Sequence, residues 1–268
     1  MSDIDFLASE ISSRFGTVKR AKKCFLYTAK GVRLVDMFQE NGRAILGWEG
    51  GSAFTMLKNV LSRGIAGSFE TDFPYRTKKA VQSLFASERE IFIYYSKEEA
   101  LKAALAISPA GTNFFRPWNS AEVSWPEIDS IVFAPPVPWA EPIYFVAAKP
   151  DCVEAALECG AAFSAGKKLP APLHAAVARS MYNLIYALQA RSEKDWFLYD
   201  KVLSKYWERK GPYLFPKIPQ ENYRDFVIHC LECGLVVSPD FLNPSIVPFG
   251  ADVGVFTKLK NSPFEASR

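Results

Sequence analysis

The run Glu90-Ile91-Phe92-Ile93-Tyr94-Tyr95, followed at once by Ser96-Lys97-Glu98-Glu99, constrains this fold more than any other stretch. A short continuous apolar run reads as a strand buried on both faces. Ser96 with Glu99 three residues on has the spacing of an S-x-x-E capping box, so a helix opens there and runs to about Ile107. A buried strand feeding straight into a helix is the unit of an α/β layer. The alternation continues downstream. Strands are expected at Ser130 to Ala134 and Pro142 to Ala147, with Pro135-Pro136-Val137-Pro138 forcing an extended loop between them. Asp151 to Cys159 reads as a helix ended by Gly160. Leu173 to Ala190 reads as a long helix with Leu173, Ala176, Val177, Met181, Leu184 and Leu188 at helical spacing.

The flanks have different signatures. Asp3 to Phe15 is a short helix, and the runs 18–28 and 32–36 around Gly31 read as a β-hairpin. Helices are expected over 52–61 and 77–85. Ser192 caps a helix from Glu193 to Arg209, which Gly211-Pro212 stops. Its aromatics Trp196, Phe197, Tyr199, Tyr206 and Trp207 suit a packing core or subunit interface better than a cofactor pocket. Pro219 to Cys233 gives a last helix, and the tail alternates short strands with prolines.

Composition narrows the function classes. At 268 residues and 49% hydrophobic, the chain can build a core and is not disordered. A net charge of +3 gives no basis for nucleic acid or membrane as a partner. The basic cluster Lys19, Arg20, Lys22 and Lys23 is read as the solvated face of an edge strand, with docking of an acidic partner as the functional option. The acidic N-terminal stretch has no apolar core, so no secretion signal is expected. Five cysteines, an odd number at irregular spacing, point to reduced thiols and a cytoplasmic location. Cys230 and Cys233 form a C-x-x-C beside His229, with Cys152 and Cys159 elsewhere as possible fellow ligands. Their place at a helix C-terminus disfavours thiolate, so buried structural thiols are expected and no metal site. Two histidines, His174 and His229, leave little material for a triad. Gly47-Trp48-Glu49-Gly50-Gly51 lacks the nucleotide-loop spacings.

A set of motifs in order carries a resemblance. Phe25-Leu26-Tyr27-Thr28 through Gly31, Leu34, Asp36, Gly42 and Leu46-Gly47 resembles the opening of class III aminotransferases, pyridoxal-phosphate enzymes of fold type I. Ser96 to Leu105 is similar to that family's SG[TS]EAnEaAlklA element. Pro172-Leu173-His174-Ala175-Ala176-Val177-Ala178 is similar to its N-P-L helix, and Gly234 to Pro239 resembles its closing subdomain. The resemblance implies a reduced large α/β domain plus a small α+β domain formed by both chain ends. The divisions expected are 1–64 for the hairpin and helix joining the small domain, 65–190 for the large domain, and 191–268 for the C-terminal part. It also implies a homodimer.

The family's phosphate loop maps onto Ser96, Lys97 and Glu98. Here Lys97 stands for the family glycine and Glu98 for its hydroxyl residue, and a carboxylate facing a dianion is repulsive. The family's LGH becomes Leu46-Gly47-Trp48. Candidates for the Schiff-base lysine are Lys167 or Lys168, with Asp151 as partner of the pyridine nitrogen, but neither lysine sits at the family spacing. The expected function is therefore a degenerate, non-catalytic aminotransferase-like homodimer without cofactor, binding a small ligand or a protein partner. The alternatives are a minimal active pyridoxal-phosphate transferase and an interaction protein using the 19–23 hairpin.

Overall fold

The structure is a computed structural model that describes residues 2–119 and 123–265. In chain order the elements are α1 (Asp3–Phe15), β1 (Val18–Lys22), β2 (Phe25–Thr28), β3 (Arg33–Asp36), α2 (Gly51–Ser62), α3 (Phe73–Phe85), β4 (Glu90–Tyr94) and α4 (Lys97–Ile107). Then come β5 (Thr112–Phe114), β6 (Ser130–Phe133), β7 (Tyr144–Ala148), α5 (Pro150–Glu158) and α6 (Ala171–Ala190). The rest are α7 (Lys194–Phe197), α8 (Asp200–Leu203), β8 (Trp207–Lys210), β9 (Tyr213–Pro216), α9 (Tyr223–Glu232), β10 (Leu235–Val236), β11 (Ser245–Ile246) and α10 (Thr257–Asn261). This is an α/β chain, and it divides into two compact units: residues 50–189, and residues 1–49 with 190–268.

The internal unit is built on a mixed sheet of order β4-β7-β6-β5, in which β5 and β6 are parallel and the other pairs antiparallel. β6 and β7 are buried almost throughout, as their unbroken apolar sequences require. On one face α4 presents Ala100, Ala103, Ala104 and Ile107 to Val132, Val146 and Ala148, and the small alanines let the helix lie close. Phe85, Phe115, Phe133 and Phe145 form a second apolar group, the Phe85 ring centroid lying 5.2 Å from Phe115 and 5.3 Å from Phe133. Arg89 is fully buried in this unit. Its Nε donates to Ser87 Oγ (2.8 Å), Nη1 to the carbonyls of Ile128 (2.5 Å) and Asp129 (3.1 Å), and Nη2 to those of Trp125 (2.9 Å) and Pro126 (3.1 Å). A rigid five-donor fork thus gathers the carbonyls of the short 3-10 turn at Trp125–Glu127 and of the two residues that follow it.

β4 is an edge strand, not the doubly buried one that its apolar run suggests, and Ile91 and Phe92 are only half-buried. The segment 164–168 covers its free edge. The Lys167 N–H donates to the Ile93 carbonyl (2.6 Å), the Tyr94 hydroxyl to the Ser164 carbonyl (2.6 Å), and the Tyr95 hydroxyl to the Lys168 carbonyl (3.4 Å). Gly166 makes this approach possible: at φ +84°, a Cβ there would lie 2.8 Å from Ile93 N and O.

The unit made of both chain ends carries a sheet of order β1-β2-β3-β10, with β10 parallel to β3, and a second sheet of order β11-β9-β8. β1, with its cationic cluster, is an exposed edge strand. The expected single strand over 18–28 is broken at Lys23 (φ +52°), which turns the chain between β1 and β2. The expected helix 193–209 is overturned. Only the short α7 and α8 form, and 207–210 is a strand paired with β9. Gly211-Pro212 is the two-residue hairpin loop, with Gly211 at φ +56° as such loops require. Arg209 holds the departure from α8 by ion pairs to Asp200 (2.6 Å) and Glu193 (2.5 Å). Trp196, Tyr199, Tyr206 and Trp207 are buried in the core, as expected for packing aromatics, whereas Phe197 is exposed. Among the described residues no helix is long and apolar enough to cross a membrane.

Candidate functional site

The turn from β4 into α4 is the first candidate. Ser96 is extended (φ −134°, ψ 138°) and caps the helix, accepting the Glu99 N–H at Oγ (3.3 Å). The expected capping box with Glu99 is therefore only half made: Ser96 caps the helix, but no bond runs back from Glu99 to the Ser96 N–H among the described residues, and the Ser96 hydroxyl instead donates to Glu98 Oε2 (2.6 Å). That bond holds the Glu98 carboxyl below its ordinary value. Glu98 and Glu99 together place two negative charges on the first turn, where the helix dipole favours them. Lys97 Nζ lies 5.4 Å from the Phe114 ring centroid.

Asp151, in the first turn of α5, is exposed, and so are the side chains of Lys167 and Lys168, on the segment tied along β4. The charged side chains buried among the described residues are Asp36, Arg43 and Arg89, with no lysine among them. His174 lies on α6 and is 6% exposed. Its Nδ1 is 3.0 Å from Thr77 Oγ1, and burial lowers its pKa to about 4.

The second candidate lies in the unit of both chain ends. Asp36, at the end of β3, is 1% exposed. Its carboxylate accepts the N–H groups of Phe38 (3.0 Å) and Gln39 (2.9 Å), and the indole N–H of Trp48 (2.6 Å). Burial outweighs these donors and raises its pKa to about 6. Gln39, Glu40 and Asn41 follow in a left-handed run (φ +47°, +49° and +55°), an uncommon conformation for three successive non-glycine residues. Beside them is a cavity of about 190 Å³, lined in part by Cys24, Gln39, Gly47, Arg191 and Phe249. Arg191 stacks on Phe249 at 3.8 Å from the ring centroid and donates to the Ile45 carbonyl (3.0 Å). Burial lowers its pKa to about 10. The Asp36–Trp48 bond and the Arg191 stack join residues 12 and 58 positions apart, so only the substitution at Trp48 hinted at either.

Cys230 and Cys233 are buried at the C-terminal end of α9, where burial raises both thiol pKa values. Cys152 is half-buried on α5 and Cys159 exposed just past it. No group of three or more metal-ligating side chains occurs among the described residues.

No family model matches the chain. It is similar to an uncharacterized protein of Treponema pallidum (strain Nichols), 28% identical over 90% of this chain and 91% of that one. It is also similar to an uncharacterized protein of Borreliella burgdorferi (strain ATCC 35210 / DSM 4680 / CIP 102532 / B31), 23% identical over 92% and 90%. Among solved structures, acetylornithine aminotransferase from Elizabethkingia anophelis superposes with a TM-score of 0.66 over 97% of each chain at 12% identity. An omega-transaminase from Sphaerobacter thermophilus gives 0.65 over 92% of this chain and 91% of that chain, also at 12% identity. Serine palmitoyltransferase from S. paucimobilis, with a bound PLP–myriocin aldimine, gives 0.61 over 96% and 95% at 11% identity. At such identities the likeness is one of fold, and the chain has the aminotransferase-like fold that its motifs implied.

Proposed function

We propose that this chain is a non-catalytic member of the aminotransferase fold that works as a homodimeric binding protein and does not hold pyridoxal phosphate. The observation that carries the reading is the Ser96–Glu98 hydrogen bond (2.6 Å) at the start of α4. A phosphate at a helix N-terminus needs free backbone N–H groups and hydroxyls and tolerates no facing anion. Here the hydroxyl is spent on a carboxylate, and the Glu99 N–H on the hydroxyl. The donor set therefore does not fit the cofactor's dianionic end.

Lysine chemistry argues the same way. A Schiff-base amine is poised by desolvation or by a neighbouring cation, and Lys167 and Lys168 point their side chains into solvent from a segment fixed at three points. The same segment supports the alternative of a minimal active enzyme, because the Tyr95–Lys168 contact ties it to the strand that leads into Ser96. One experiment separates the two. The full chain is mixed with pyridoxal phosphate, its visible absorbance recorded, borohydride added and the digest mapped. No fixed adduct is expected. An adduct on Lys167 or Lys168 overturns the proposal. Gel filtration with light scattering tests the dimer, and a monomer at all concentrations removes that part.

A further inference from the structure

We infer that the outer face of the β1-β2-β3 sheet binds single-stranded nucleic acid. Residues 16–35 hold six cations, Lys19, Arg20, Lys22, Lys23, Lys30 and Arg33, and no carboxylate. The whole chain carries only +3, so the rest of it is net negative and the positive charge is concentrated here. Total charge therefore says nothing against a polyanion at this one face.

The register puts cations and rings together. Arg20 on β1 and Arg33 on β3 both lie opposite Tyr27 on β2, and Lys22 lies opposite Phe25. Residues directly opposite share a face of the sheet. Arg20 and Arg33 are exposed, and Lys22, Phe25 and Tyr27 are half-buried. The Arg20 guanidinium is 5.6 Å from the Tyr27 ring centroid, and that of Arg33 is 4.7 Å from the Phe25 centroid. Arg20, Lys22 and Arg33 make no ion pair among the described residues. Glu49 stands at the turn between β1 and β2, where it accepts the Lys23 N–H (2.9 Å).

Spacing and flatness select the partner. Positions two apart on a strand are separated by about 7 Å. That is close to the step between successive phosphates of an extended nucleic-acid strand, so Arg20 and Lys22 suit neighbouring phosphates. Phe25 and Tyr27 repeat the same step on β2, and rings and guanidinium planes are the surfaces on which unpaired bases stack. A duplex keeps its bases inside and offers this face only charge. An acidic peptide also offers only charge, and a second copy of the chain would bring charge of the same sign. The inference goes beyond the binding-protein reading by naming a partner. The face shares no residue with the Ser96 turn, so the two fail separately.

The test is fluorescence anisotropy of the full chain with a labelled oligothymidylate, with its duplex with oligoadenylate, and with polyglutamate as competitor. At low salt the single strand is expected to bind with a Kd of about 1–100 µM, at least about tenfold tighter than the duplex. With three cations engaged, log K should fall against log salt with a slope of about −2. Arg20→Gln and Arg33→Gln should each make that slope shallower by about 0.7. Tyr27→Leu should weaken binding by about tenfold and leave the slope unchanged. Unchanged circular dichroism and melting establish that each variant is folded, and the two arginine variants, at exposed positions, decide the matter if Tyr27→Leu is not. The inference is overturned if the single strand does not bind at about 100 µM protein, if the duplex or polyglutamate binds as tightly, or if folded Arg20→Gln and Arg33→Gln keep the parent's affinity and slope. A covalent pyridoxal adduct on Lys167 or Lys168 would overturn the non-catalytic reading and leave this titration unaffected.

Discussion

Lowering the pH should weaken the internal unit through His174. The imidazole is buried on α6 against Thr77, and burial alone lowers its pKa from an ordinary 6.5 to about 4. A histidine kept neutral by the fold contributes stability that is fully present above pH 6.5. It is lost progressively as the pH falls toward 4, because the unfolded chain takes up the proton first. At about 1.36 kcal/mol per unit, the whole window is worth about 3 kcal/mol, and by pH 5 about 2 kcal/mol has gone. The assay is urea unfolding followed by tryptophan fluorescence at pH 7.5, 6 and 5, for the parent and for His174→Gln, which cannot titrate. The stability difference between the two should shift by about 2 kcal/mol over that range, with the parent losing more. Parallel curves, or an imidazole titrating near 6.5 by NMR, would refute the assignment of a desolvated neutral ring.

Asp36 works in the opposite sense. Its folded pKa of about 6 lies above the ordinary 3.8, so ionising it costs stability as the pH rises from 4 to 6, by about 3 kcal/mol in full. A carboxyl NMR titration should place its midpoint near 6, and a midpoint near 4 would contradict the burial argument. Arg89→Met removes five donors from a buried cluster of four carbonyls and a hydroxyl, and should cost roughly 3–5 kcal/mol in urea unfolding. A loss under 1 kcal/mol would mean that water replaces the fork. Gly166→Ala forces a side chain into the Ile93 backbone at positive φ, and should lower stability by about 1–3 kcal/mol and open 161–168 to proteolysis. An unchanged cleavage pattern would count against the edge cover. Ser96→Ala should cost about 1 kcal/mol through the lost cap, and an unchanged melting temperature would show that the cap carries no weight.

Much of the architecture was legible because each signal was local. The 90–107 strand and helix, the Gly160 stop, the long helix of α6 and the helix end at Gly234 rest on periodicity and chain punctuation, and all formed within a few residues of expectation. The stretch 193–209 misled because its aromatics satisfy helical spacing, while Tyr206 and Trp207 are claimed by Phe226 on α9, at ring separations of 5.3 Å and 5.1 Å. No window of sequence contains that partner. At the candidate site, the substitutions Lys97 and Glu98 were visible, and so was the cap. That Glu98 and not Glu99 would turn back on Ser96 was not, because the choice depends on side-chain rotamers. Arg89 and Arg33 drew no notice as letters, because a cation acquires its meaning from carbonyls, hydroxyls and rings brought to it by other elements.

The parallel pairing of β10 with β3 sets an order of events during synthesis. The strand at 33–36 emerges from the ribosome about 200 residues ahead of its neighbour at 235–236, whereas the four strands of the sheet in residues 50–189 pair with one another. At roughly 5–20 residues per second the early strand waits ten seconds or more with one hydrogen-bonding edge open. The nascent chain is therefore exposed to mispairing longest at its front, and a chaperone that shields residues 33–36 would act there, while the middle of the molecule matures alone.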